Sequence, residues 1–200
     1  INTSINVEDN NSLNLESGSA ILIEQSTGQV LYSHNSHEKL RPASVTKIMS
    51  ILLIMEQIDS GRLSYTEQIP CSENARSMGG SQIWFKEGEE LTVNDALKAI
   101  AVVSANDVCM AVSEHIGGSE QNFVKMMNEK AKELGMENTS FMNCHGIDTE
   151  GHYTTAKDIA IMSRELITKH PDILKYTSIW MDTLRDGTFG LSSTNKLIRY

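Results

Sequence analysis

The feature that most constrains the fold is an apolar run at residues 48–55, which follows a serine and a lysine placed three residues apart. The stretch reads Arg-Pro-Ala-Ser-Val-Thr-Lys over residues 41–47 and continues as Ile-Met-Ser-Ile-Leu-Leu-Ile-Met. Such a run is typical of a buried helix, and it is too short to span a bilayer. Pro42 suits the first turn of a helix, so we predict a helix over residues 46–59 that ends near Ser60 and Gly61.

Ser44 and Lys47 are the candidate catalytic pair, because residues three apart on a helix share a face. A serine hydroxyl is a poor nucleophile until a base removes its proton, and a lysine can be that base only when it is neutral. The apolar run supplies the burial that lowers a lysine pKa, and the helix N-terminus would stabilise a developing oxyanion. Taken alone, this spacing also fits a surface lysine that extends to water.

A second motif, Ser104-Ala-Asn106, lies between helices predicted over residues 92–103 and 107–115. At a helix junction it offers a hydroxyl for proton relay and an amide for binding a carbonyl group. Helix capping uses the same residue types, so the local sequence is compatible with both roles.

The layout predicts a mixed α/β domain of the α+β kind. A hairpin is predicted around a turn at residues 26–28, and strand-like residues return at 177–200. Further helices are predicted over residues 120–134 and 155–169, with Gly135 ending the first and Thr155 capping the second. We therefore expect an antiparallel sheet built from both chain ends, with a helical lobe inserted between them.

We expect one domain of a size that can bury a core, preceded by a short tail. Residues 1–18 are predicted to form a flexible N-terminal segment, and residues 19–200 the domain. Within it, 19–40 belong to the sheet lobe, 42–176 to a mainly helical lobe, and 177–200 return to the sheet lobe.

The net charge of -9 argues against a nucleic-acid partner and against adhesion to an anionic membrane face, because both need a basic patch. The three cysteines, Cys71, Cys109 and Cys144, are an odd number without Cys-x-x-Cys spacing. They do not indicate a disulfide framework, and Cys109 is expected in the core.

Together the two motifs resemble those of the serine penicillin-recognising enzymes, whose set is S-x-x-K, S-x-N and K-T-G. The resemblance is closest to the secreted low-molecular-weight D-alanyl-D-alanine carboxypeptidases, which share a β-lactamase/transpeptidase-like fold. It extends over nearly the whole chain, through segments at 20–32, 41–47, 104–106, 143–158 and 193–197.

The resemblance implies a role for each candidate residue. Ser44 would attack the carbonyl of the penultimate D-alanine in a peptidoglycan stem peptide, with Lys47 as its base. Ser104 would pass a proton to the leaving amine, and Asn106 would bind the substrate backbone. It implies β-lactam antibiotics as inhibitors, no metal or organic cofactor, and an extracytoplasmic location, while membrane anchoring is left open.

One departure from the family pattern concerns the third motif, because no Lys-Thr-Gly occurs in these 200 residues. We therefore expect the C-terminal strands of the family sheet to be missing. The predicted activity accordingly belongs to the parent protein rather than to this polypeptide alone.

Three alternatives stay open at this point. A class A-like β-lactamase would use a loop glutamate for deacylation, and the loop at residues 144–154 offers Asp148 and Glu150. A zinc peptidase would use Cys144, His145, Asp148 and His152, although a polar loop that satisfies its own backbone is favoured. A non-catalytic penicillin-binding sensor would keep Ser44 and Lys47 and acylate once without turnover.

Overall fold

The computed structural model describes residues 12–199, so residues 1–11 of the predicted flexible segment lie outside the described residues. The described strands are β1 (Ala20–Ile23), β2 (Val30–His34), β3 (Gln68–Pro70), β4 (Glu90–Thr92), β5 (Met181–Leu184) and β6 (Phe189–Ser192). The described α-helices are α1 (Lys47–Asp59), α2 (Glu73–Arg76), α3 (Val93–Val103), α4 (Asn106–Gly117), α5 (Glu120–Glu133), α6 (Ala156–Lys169) and α7 (Leu174–Thr177). Short 3-10 turns occupy Ala43–Thr46, Pro171–Ile173 and Lys196–Arg199.

Helix α1 lies at the centre of the core, as its composition predicts. Every residue from 49 to 55 is buried, and α1 packs against α3, α4, α5 and α6. A helix that is apolar on all sides is stable only when other elements surround it. Lys47, at the first position of α1, is also buried, with a relative exposure of 3%.

The N-terminal hairpin forms as predicted and is attached to α6. β1 and β2 pair antiparallel, and Gly28 takes a positive φ of 75° at the end of the turn. Arg164 on α6 donates to the carbonyl oxygens of Gln25 at 2.8 Å and Ser26 at 2.6 Å. These bonds fix the position of the turn on the helical lobe.

A left-handed residue joins α3 to α4. Thr92 caps α3 by accepting a hydrogen bond from the Asp95 N–H, and Ser104 ends it with φ 59° and ψ 37°. Left-handed conformations are unfavourable for residues other than glycine, and their strain tends to collect at functional sites. The turn at Ser104 places the start of α4 directly against the end of α3.

The α+β class with antiparallel strands near both ends of the chain is confirmed, but the strands are not joined into one sheet in the described residues. β1–β2, β3–β4 and β5–β6 are three separate two-stranded sheets. β1 packs on α6, whereas β6 packs on α3 and buries Leu191. The two terminal hairpins thus contact different helices, which keeps them apart.

None of the helices in the described part of the chain combines the length and the apolar composition that a membrane crossing requires.

The cap of α6 provides a test of the fold. The buried Thr155 hydroxyl accepts a hydrogen bond from the Asp158 N–H at 3.1 Å, so Thr155→Val should leave that donor unpaired at nearly constant shape. We expect the free energy of unfolding to fall by about 1 kcal/mol in urea denaturation.

Thr168→Val on the same helix is the matched control. The Thr168 hydroxyl donates to the carbonyl of Arg164 within the helix, a bond that adds little stability. Equal losses in the two variants would show that the Thr155 cap has no special role.

Candidate active site

Ser44 and Lys47 meet at the start of α1, where the sequence predicts them to share a face. Ser44 lies in the turn Ala43–Thr46, and Lys47 is the first residue of the helix. The Lys47 Nζ donates to the Ser44 Oγ at 3.3 Å. Ser44 is exposed while Lys47 is buried, so the hydroxyl faces solvent and the amine lies behind it.

Burial lowers the pKa of Lys47 from its usual 10.5, and the electrostatic interaction with the neighbouring Cys109 and Cys144 only partly opposes this effect. The Lys47 Nζ also donates to the backbone carbonyl of His145 at 2.7 Å. An amine with a lowered pKa beside a hydroxyl can take up the hydroxyl proton. The pair is therefore chemically suited to nucleophilic catalysis.

The loop at residues 141–154 lies against the backbone that precedes Ser44. Gly146 has a φ of 92°, and a Cβ at this position would lie 1.9 Å from the Ala43 carbonyl oxygen. Ala43 itself has a positive φ of 47°. Only glycine permits this approach, and the contact fixes the strained turn that carries Ser44.

His152 connects the same loop to the turn. Its Nδ1 accepts a hydrogen bond from the Met142 N–H at 3.0 Å, so in the neutral ring the proton is on Nε2. That Nε2 lies 2.8 Å from the Thr46 Oγ1, to which it donates. Burial lowers the pKa of His152, which favours the neutral ring in this arrangement.

The Ser-x-Asn motif presents two unsatisfied polar atoms. The Asn106 Nδ2 donates to the Gly79 carbonyl at 2.7 Å, and the Asn106 N–H donates to the Ser81 carbonyl at 2.7 Å. Among the described residues, the Ser104 Oγ and the Asn106 Oδ1 are buried without a hydrogen-bond partner. Unpaired buried groups are costly and rare, so both atoms are suited to contact a substrate.

A shared carbonyl brings the two motifs to the same part of the molecule. The Cys144 carbonyl accepts from the Ser50 Oγ at 2.6 Å and from the Cys109 Sγ at 3.2 Å. Ser50 lies one helical turn after Lys47 on α1, and Cys109 lies one turn after Asn106 on α4. The first turns of α1 and α4, with the candidate residues on them, therefore converge on this loop.

Asp107, the residue directly after the Ser-x-Asn motif, was not among the candidate site residues, yet it organises the segment that faces Asn106. Its fully buried carboxylate accepts from the N–H groups of Ile83, Phe85 and Val108. The segment at residues 79–85, whose carbonyl groups bond to Asn106, is thus held against α4 by Asp107. The position of an acidic residue directly after the Ser-x-Asn motif is the sequence signal that could have indicated this role.

The four zinc candidates do not gather at one point. The exposed Asp148 pairs with Arg41, and both ring nitrogens of His152 are engaged by protein groups. In the part of the chain that the structure describes, the possible ligand cluster is Glu120, Cys144 and His145, with donor atoms within 4.8 Å.

The tautomer of His145 does not suit a metal at that cluster. The His145 Nδ1 accepts from the Ile147 N–H at 3.2 Å, which leaves the proton on the Nε2 that faces Glu120 at 3.5 Å. A metal-bound histidine instead donates from its second nitrogen. The observed contacts therefore favour the loop that satisfies its own backbone.

Gly146→Ala tests the contact between the loop and the turn that carries Ser44. The added Cβ would overlap the Ala43 carbonyl oxygen, so the loop or the turn must move. We expect the free energy of unfolding to fall by about 3 kcal/mol, measured by urea denaturation.

Gly151→Ala is the control for backbone strain, since Gly151 also has a positive φ but a Cβ there would meet only Met142 at 3.7 Å. We expect a loss of about 1 kcal/mol from the φ strain alone. Similar losses in the two variants would refute the close approach as the reason for Gly146.

Comparison with known proteins identifies close relatives. A family model described as D-alanyl-D-alanine carboxypeptidase matches residues 5–200. The D-alanyl-D-alanine carboxypeptidase DacF of Bacillus subtilis (strain 168) is 53% identical over 188 residues, which cover 92% of this chain and 48% of the relative. DacC of Escherichia coli (strain K12) is 35% identical over 158 residues, which cover 76% of this chain and 40% of the relative.

Solved structures show the same fold. Penicillin binding protein 6B from Escherichia coli superposes with a TM-score of 0.87 at 31% identity, over 92% of this chain and 59% of that one. Penicillin-Binding Protein D2 from Listeria monocytogenes, in its ampicillin-bound form, gives 0.83 at 30% identity, over 94% and 76% of the two chains.

The chain spans about half the length of the curated relatives it matches, between 40% and 48% for the two named above. The family model nevertheless covers almost all of this chain, and the structural match confirms the β-lactamase/transpeptidase-like fold. The chain therefore belongs to the D-alanyl-D-alanine carboxypeptidase family.

Proposed function

We propose that the full-length protein is a serine-type D-Ala-D-Ala carboxypeptidase that removes the terminal D-alanine from peptidoglycan stem peptides. The observation that carries this proposal is the buried Lys47 amine, which lies 3.3 Å from the exposed Ser44 hydroxyl and whose pKa is lowered by burial. A neutral amine in this position is the base that a serine nucleophile requires.

The reaction would proceed through an acyl-enzyme. Lys47 takes the Ser44 proton while the Ser44 oxygen bonds to the carbonyl carbon of the penultimate D-alanine. The carbon–nitrogen bond to the terminal D-alanine then breaks, and the departing nitrogen receives a proton. Water, deprotonated in the same way, attacks the ester and releases the shortened peptide and Ser44.

Ser104 and Asn106 would complete the site with the atoms that the protein leaves unpaired. The Ser104 Oγ would relay the proton to the leaving amine. Because the Asn106 Nδ2 is already bonded to Gly79, its Oδ1 is the atom left to accept an N–H from the substrate backbone. Each group gains a partner only when substrate is bound, which concentrates binding energy at the reacting bond.

The same geometry would accept a β-lactam in place of the peptide. Relatives in this family include a penicillin-binding protein whose structures are described as ampicillin-bound and cefotaxime-bound. Attack by Ser44 on the β-lactam carbonyl would open the ring and leave a stable ester. Since peptidoglycan lies outside the cell membrane, we place the protein in the extracytoplasmic cell envelope.

Benzylpenicillin labelling tests the nucleophile. The full-length protein should gain one β-lactam mass on the peptide that contains Ser44, and Ser44→Ala should gain none, as measured by intact mass and peptide mapping. Ser36→Ala, which removes a buried hydroxyl just after the end of β2, is the control and should label fully. Full labelling of Ser44→Ala would refute the proposed nucleophile.

The alternatives differ in turnover. The proposed enzyme should release D-alanine from a diacetyl-Lys-D-Ala-D-Ala peptide and hydrolyse nitrocefin slowly. Rapid nitrocefin hydrolysis would instead support the class A-like β-lactamase, and a stable adduct without D-alanine release would support the non-catalytic sensor.

The pH dependence of acylation tests Lys47. A general base acts when deprotonated, so the rate should rise with pH through the lowered Lys47 pKa and level off below pH 10.5. The His145 pKa of about 4 keeps that ring neutral over this range.

Lys47→Arg keeps a cation that cannot act as a base, and we expect acylation to slow by about 100-fold or more. Lys157→Arg at an exposed site of α6 is the matched control. A wild-type profile that is flat from pH 5 to pH 10 would contradict the base role of Lys47.

A further inference from the structure

We infer that Ser50 is a positioning residue for Lys47, and that it acts through the backbone of Cys144 and His145. The inference rests on the proposed function, because it concerns how the base is aimed at Ser44. Ser50 is the one hydroxyl that interrupts the apolar run of residues 48–55, and the catalytic roles leave it unused.

The hydroxyl of Ser50 reaches outside its own helix. Ser50 has a relative exposure of 0%, and its Oγ donates at 2.6 Å to the Cys144 carbonyl, 94 residues further along the chain. A serine inside a helix commonly bonds to a carbonyl of the preceding turn. Here the bond instead ties α1 to the loop at residues 141–154.

The Cys144 carbonyl has a second donor, but a weaker one. The Cys109 thiol on α4 approaches the same oxygen at 3.2 Å. A thiol is a poor hydrogen-bond donor compared with a hydroxyl. Ser50 therefore supplies the stronger of the two bonds that hold this carbonyl between α1 and α4.

The adjoining residue contacts the base. The Cys144 carbonyl lies in the planar peptide unit that leads into His145, so fixing its direction also limits the orientation of His145. The His145 carbonyl accepts from the Lys47 Nζ at 2.7 Å. Ser50 and Lys47, one turn apart on α1, thus bond to consecutive carbonyls of the loop.

The His145 carbonyl determines where the Lys47 lone pair points. A neutral amine has two N–H donors and one lone pair. When one N–H is held by the His145 carbonyl, rotation about the Cε–Nζ bond is restricted, and the lone pair can face the Ser44 hydroxyl. Loss of the Ser50 bond would let the His145 carbonyl move. The Lys47 amine would then be less precisely oriented toward the Ser44 hydroxyl.

Several titratable groups lie close to Lys47 and could contribute to the pH dependence of the acylation rate. The titratable groups that face it are Cys109 on α4 and Cys144 and His145 on the loop, with Glu120 of α5 beside His145. The Cys144 pKa is raised well above 9.0 by burial, and the His145 pKa is lowered to about 4. Cys109 is replaced by alanine in every protein measured, so that its side chain neither titrates nor donates to the Cys144 carbonyl.

The experiment compares Ser50→Thr with Ser50→Val in the full-length Cys109→Ala protein. Both variants add the same methyl group to a closed site, and only threonine keeps the hydroxyl, so packing effects cancel. Benzylpenicillin acylation is followed by stopped-flow from pH 5 to pH 10, and each rate is normalised to the fraction of protein that finally acylates. Ser36→Ala in the same background is the control for loss of a buried hydroxyl.

We expect Ser50→Val to acylate about tenfold more slowly than Ser50→Thr, with β-lactam binding unchanged within twofold. The acid limb of its profile, where the rate rises with pH, should move to lower pH. The reason is that a weaker contact with the His145 carbonyl stabilises the ammonium form of Lys47 less. Ser36→Ala should keep the parent rate and limb. A purely structural role would lower the folded fraction without moving the limb.

Two other outcomes are distinguishable. If the parent acylates and the valine and threonine variants share one rate and one acid limb, the inference is overturned while the proposed function stands. If the parent itself does not acylate, the proposed function and the inference fall together.

Discussion

The arrangement depends on a lysine amine that is buried at the start of a fully apolar helix. Removing an ammonium group from water is costly, so Lys47 needs either partners or a neutral state. The structure provides the Ser44 hydroxyl and the His145 carbonyl, and the pKa of Lys47 is lowered. The same burial that would destabilise a charged lysine makes its neutral form available at lower pH.

The need to hold the buried Lys47 amine explains why the loop at residues 141–154, distant in sequence, is fixed by many contacts. The His145 carbonyl is useful to Lys47 only if its position is fixed, and Gly146 allows the loop to touch the Ala43 backbone. The Asn143 Oδ1 accepts from the Gly146 N–H at 2.6 Å, and His152 joins the loop to Thr46. Strain at Ala43 can persist because these contacts hold both sides of it.

The sequence predicted what depends on nearby residues and missed what depends on distant ones. The pairing of Ser44 with Lys47, the cap at Thr155 and the limits of α1 all follow from spacing within one or two turns. The bond from Ser50 to Cys144 spans 94 residues, and no local pattern marks it. The separation of the terminal hairpins likewise arises from which helix each one contacts, which periodicity does not record.

Hydrogen bonding distinguishes the residues that hold the site in place from those proposed to contact the substrate. Ser50 and Asp107 are fully buried and bonded to backbone, as expected of groups that stabilise the site from within. The Ser104 Oγ and the Asn106 Oδ1 are equally removed from water but have no partner in the described structure. Folding alone gains nothing from two unpaired polar atoms, and a serine held at positive φ adds strain. The proposed substrate would supply the missing bonds and offset this free-energy cost, so we expect it to bind at the junction of α3 and α4.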